Sequence, residues 1–78
     1  MAEHINIDLT KCGQTYTMGN VVDTKGPIDL SVTALCHNTV NIGDLTGTHI
    51  NTHFDVQGQS HVTVGKTTDL DHLLVLLI

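Results

Sequence analysis

His49, His53, Asp55 and His61 crowd one stretch of the chain, residues 48–64, which reads THINTHFDVQGQSHVTV. Imidazole nitrogen and carboxylate oxygen are ligands for zinc and other divalent transition ions, so this stretch is where metal chemistry would sit. Side chains alternate along a strand, so Ile50, Thr52, Phe54 and Val56 share one face and His49, Asn51, His53 and Asp55 the other. Val62 and Val64 are apolar on the return side of Gln57-Gly58-Gln59. A three-residue hairpin loop there sets Phe54 against Val62 and keeps both faces consistent, with Gly58 free to take a positive φ. Asp55 then opposes His61, with His53 beside them, at roughly 5 Å between Cβ atoms. His49 lies two pleats from His53, too far to share one ion on a flat strand. In a trimer, His49 or His53 from each chain could ring a symmetry axis. The competing reading is a hydrated polar strand face, since no HxH or HExxH spacing is present.

Other catalytic arrangements are weaker, and the residues assign no catalytic group. Ser60 adjoins His61 and Cys36 adjoins His37, but neighbours on a strand point to opposite faces. Gly65-Lys66-Thr67 carries the last letters of a P-loop without the glycines upstream. The run Gly47-Thr48-His49-Ile50-Asn51 resembles part of the metal-binding signature of the cyclase/kynurenine-formamidase hydrolases, His-x-Gly-Thr-His-x-Asp-x-Pro-x-His. His49 matches the central histidine. Leu45, Asn51, His53 and Asp55 stand where that signature has His, Asp, Pro and His, so the resemblance marks His49 alone.

These groups must be held by short strands. Thr, Val, Ile, Asn and Gly are abundant, and seven of the eight acidic residues are Asp, a turn residue rather than a helix former. Ile5, Ile7 and Leu9 alternate with polar residues, and Ile28, Leu30, Val32, Ala34 and Cys36 do so more clearly. Tyr16 to Val22 reads as a strand broken at Gly19-Asn20, and Val40-Asn41-Ile42 as another, while 65–69 reads as a loop. His4-Ile5-Asn6 then Gly13-Gln14 matches His49-Ile50-Asn51 then Gly58-Gln59, a faint internal repeat. Stacked units of that kind build a β-solenoid, but a solenoid is expected to repeat at a shorter period. The expectation is therefore all-β: a small antiparallel sandwich or barrel of short strands, oligomeric.

The net charge of −5, with Lys11, Lys25 and Lys66 as the only cations, argues against nucleic acid and anionic membranes as partners. Residues 1–78 form one domain, and a domain this small with almost no aromatics needs a staple, a metal or a partner subunit. Cys12 and Cys36 could be bridged or reduced. No signal peptide is visible at the N-terminus, which leaves virion and cytoplasm open. Residues 70–78 read as a last strand or a short helix, and their apolar run Leu73, Leu74, Val75, Leu76, Leu77 and Ile78 is too short to span a bilayer. It is expected to pack in the core or between subunits, as an oligomer interface. The leading functional expectation is a structural or assembly protein, a symmetric homo-oligomer within a larger particle such as a virion or phage tail. The alternative is a small metal-dependent hydrolase using His49, His53, Asp55 and His61 around a zinc-like ion.

Overall fold

A computed structural model describes residues 3–71. Its strands are β1 (Glu3–Leu9), β2 (Thr15–Met18), β3 (Val21–Asp23), β4 (Ile28–Ala34), β5 (Thr39–Ile42), β6 (Leu45–Gly47), β7 (Ile50–Val56), β8 (His61–Val64) and β9 (Thr67–Asp69). They pair in three sheets, ordered β1-β4-β7, β2-β5-β8 and β3-β6-β9. Every pairing is parallel. The chain visits the three sheets in turn and then repeats the circuit on top of itself. The fold is a β-solenoid of three rungs.

The antiparallel sandwich or barrel is thereby corrected. Parallel neighbours need a long connection between them, and one full circuit supplies it: Glu3 stacks under Ile28, and Ile28 under Ile50. The 48–64 hairpin is corrected for the same reason. β7 pairs with β4 and β8 with β5, so the two strands belong to different sheets. The turn between them is real, with Gly58 at φ 61° and Gln59 at φ 62°, but it is a corner of the rung. Phe54 and Val62 both face the interior, as the alternation requires, without facing each other across a ladder. Strand β9 lies within the stretch 65–69 that the sequence suggested as a loop, and β6 fills a stretch in which no strand was expected.

The core follows from stacking. The burial of β4 alternates strictly, with Ile28, Leu30, Val32 and Ala34 inside and Asp29, Ser31 and Thr33 toward solvent. Val40, Ile42 and Leu45 complete the middle rung, and Ile7 and Leu9 add the first-rung contribution. A side chain of the middle rung has neighbours above and below, which is why this rung holds most of the buried apolar residues. A solenoid is stable through such nearest-neighbour interfaces.

The corners carry their own ladders. Gly13, His37 and Gln59 occupy one corner in successive rungs, and all three have positive φ. Next to them Asn38 is fully buried. Its Nδ2 donates to the Leu9 carbonyl at 3.0 Å, its Oδ1 accepts from the Gln14 amide at 2.9 Å, and its own amide donates to Ser60 Oγ at 3.0 Å. At a second corner the Asp44 amide donates to Asn20 Oδ1, and the Lys66 amide donates to Asp44 Oδ1, each at 2.8 Å. Gly19, Gly43 and Gly65 precede those three residues. A Cβ on Gly43 would strike Asn20, while one on Gly19 would meet open space. Cys12 and Cys36, in equivalent corners of the first two rungs, form a disulfide with Cα atoms 4.5 Å apart.

Candidate functional site

The outer face of the β1-β4-β7 sheet collects most of the chemically capable side chains. Read across the rungs, its columns are His4–Asp29–Asn51, Asn6–Ser31–His53 and Asp8–Thr33–Asp55. The first column is bonded from end to end. His4 Nδ1 lies 3.3 Å from Asp29 Oδ2, and Asn51 Nδ2 donates to Asp29 Oδ1 at 2.9 Å. Such an exposed pair holds side chains in register but adds little stability.

The residues singled out from sequence fall in three places. His53 and Asp55 are two apart on β7, so they share this outer face, where His53 stacks on Ser31 and Asp55 on Thr33. Asp55 Oδ1 accepts a hydrogen bond from Gln57 Nε2 at 2.8 Å. His61 belongs to β8 in another sheet, above Thr39, so the expected Asp55–His61 opposition does not form. His49 sits in the corner before β7, with Nδ1 3.3 Å from Asp69 Oδ2. All four residues are exposed. Among the described residues no group of three or more His, Cys, Asp or Glu is placed to hold a metal ion. Leu73, Leu74, Val75, Leu76, Leu77 and Ile78 lie outside the described residues. No helix among the described residues is long and apolar enough to cross a membrane.

The rung ends present a different surface. Phe54 stacks on Val32, which is 1% exposed, yet Phe54 itself is 45% exposed. Val56 stacks on fully buried Ala34 and is 39% exposed. At the opposite end Tyr16 lies under fully buried Val40 and is 41% exposed. These side chains point inward along the core column and are exposed because the stack of described residues stops there. Sequence reasoning missed them as surface features, since their alternation marks them as core. A signal for the stack was present: Met18-Gly19-Asn20, Ile42-Gly43-Asp44 and Val64-Gly65-Lys66 recur once per rung.

No known protein family, curated protein or solved structure matches the chain.

Proposed function

We propose that this protein is a structural and assembly module: a short, disulfide-stapled β-solenoid that acts as a homo-oligomer within a larger particle, of the kind a virion or phage tail presents. The observation that carries this reading is the pair of open rung ends, where Tyr16, Phe54 and Val56 continue the core column into solvent. Solenoid ends must be capped, by polar terminal repeats or by another surface. The apolar run 73–78, which lies outside the described residues, is proposed to pack in the core or between subunits on the ground of its sequence alone. Low charge and scarce cations fit a partner that is protein rather than nucleic acid. The hydrolase reading loses its support with the hairpin, because His61 and Asp55 lie on different sheets.

Native mass spectra of the purified chain test this reading. The expected result is an assembly whose mass is a small multiple of 8.4 kDa and which holds together without metal. A monomer carrying one metal ion per chain, released when His53 and His61 are replaced by Ala, would overturn it in favour of the hydrolase.

A further inference from the structure

β7 is an edge. It pairs with β4 on one side, and among the described residues no strand pairs with it on the other. An edge strand presents a row of backbone donors and acceptors that a further strand can take up. Here that row is bordered by apolar surface, since Phe54 is 45% exposed and Val56 39%, both on the inward face. The opposite edge differs. On β1 the inward Ile7 and Leu9 are only 4% and 9% exposed, so little of their apolar surface is left to bury.

The sequence of β7, Ile50-Asn51-Thr52-His53-Phe54-Asp55-Val56, fits a reversed copy of itself. Directly opposed residues of an antiparallel ladder share a face, so inward residues must oppose inward ones. That leaves three registers that pair five or more of the 7 residues. Centred on Thr52, the ladder leaves Asp55 and Val56 beyond the partner's strand. Centred on His53, it sets the two imidazoles against each other and Phe54 against Thr52. Centred on Phe54, it sets His53 against the partner's Asp55 twice, Thr52 against the partner's Val56 twice, and the two Phe54 rings against each other. Asp55 is the one acid of β7, and this register alone opposes it to a histidine of the strand. A carboxylate accepts more than one bond, so the hydrogen bond from Gln57 Nε2 is kept.

We infer that the third-rung end is the contact between two copies of this chain, related by a two-fold axis at Phe54, with β7 antiparallel to the partner's β7 in one continuous six-stranded sheet. The inference rests on the assembly reading and names the surface through which the copies meet. A two-fold contact is self-complementary, and each pair across it occurs twice. The axis reverses the direction of the circuit, so β8 meets the partner's β9, and β8 carries no acid to oppose Asp69. A copy stacked head to tail, first rung on third, fits worse. In ladder register it sets Asp8 against Asp55 and Asp23 against Asp69, and like charges directly opposed across a ladder are unfavourable. Such a stack also leaves an open end on each new copy and does not close.

Native mass spectra of the full-length protein, with isotope-filtered nuclear Overhauser spectra of mixed labelled and unlabelled chains, test the contact. The expected result is an even number of chains per assembly and an intermolecular contact between the Thr52 and Val56 methyls. Phe54→Asp is expected to raise the dissociation constant of the pair by about a hundredfold while circular dichroism shows the chain still folded. His53→Asp is expected to raise it about tenfold, because Asp then opposes Asp twice. Adding Asp55→His to that variant recreates both pairs and is expected to restore the constant to within about threefold. A His53-centred ladder would set Asp against Asp in the swapped chain, so failure of the rescue would overturn the inference. An odd number of chains, an assembly that survives Phe54→Asp, or a Phe54 ring whose contacts all lie within one chain would also overturn it and leave the assembly reading standing. A monomer at every concentration would sink the assembly reading and the inference with it.

Discussion

At the scale of single residues, Asn38 and the corner glycines carry the most weight. Asn38 gives one donor and one acceptor to backbone groups of the first rung from a fully buried position. Asn38→Ala leaves the Gln14 amide and the Leu9 carbonyl without that partner, and unpaired buried groups cost about 1–3 kcal/mol each. A loss of about 3 kcal/mol in denaturant unfolding is expected, with Asn38→Asp little better, because a carboxylate cannot donate to Leu9. The glycines give a sharper contrast. Gly19 and Gly43 occupy the same corner position, but a Cβ at Gly43 runs into Asn20 and the Gly19 backbone. Gly43→Ala is expected to cost about 1–3 kcal/mol through forced backbone movement, and Gly19→Ala to stay within about 0.5 kcal/mol. Equal effects at both positions would contradict the stacking of these corners. The histidines make a quieter prediction. His53→Ala and His61→Ala touch exposed side chains and are expected to change stability by less than about 0.5 kcal/mol each.

At the scale of elements, strand positions were legible and strand partners were not. Alternation in Ile5 to Leu9 and Ile28 to Ala34 located β1 and β4 and identified their inward residues. Alternation states which face is inside, not which strand lies alongside, so Phe54 and Val62 satisfied a hairpin as well as a solenoid. The period was hidden by unequal corners: residues 10–14 against 35–38 and 57–60, and residues 24–27 against 48–49. With circuits of 25 and then 22 residues, the match of His4-Ile5-Asn6 with His49-Ile50-Asn51 falls two residues short of two full rungs and does not expose the single-rung period. The three-letter corners at Gly19, Gly43 and Gly65 would have given it. The metal proposal failed to find geometric support for the same reason, since it needed β7 and β8 to be neighbours. The disulfide is an element-scale device: it ties the first two rungs across a separation of 24 residues. Loop-closure entropy assigns such a link about 3 kcal/mol. Cys12→Ala with Cys36→Ala is expected to lower unfolding free energy by about that amount, and an unchanged midpoint would contradict it. In the middle rung, Leu30→Ala should cost about 2–5 kcal/mol.

At the scale of the whole molecule, the three rungs of the described residues give one fully covered layer and two incomplete ones. The covered layer supplies the core, and the incomplete ones supply the surfaces through which the protein is read here as an assembly unit. Phe54→Ala reports on this directly. If the third-rung end is covered in the full chain, the substitution should destabilise by about 3–5 kcal/mol, as for a buried aromatic; a change under about 1 kcal/mol would show that end to be bare. All of this depends on the parallel stack. The most direct test is therefore a map of the nuclear Overhauser contacts between strand backbones in the full-length protein. The stack predicts contacts joining β4 to β7 in register, Val32 beside Phe54 and Thr33 beside Asp55, with no ladder between β7 and β8. An antiparallel ladder setting Asp55 against His61 would contradict it, restore the hairpin, and return the histidines to the centre of the account.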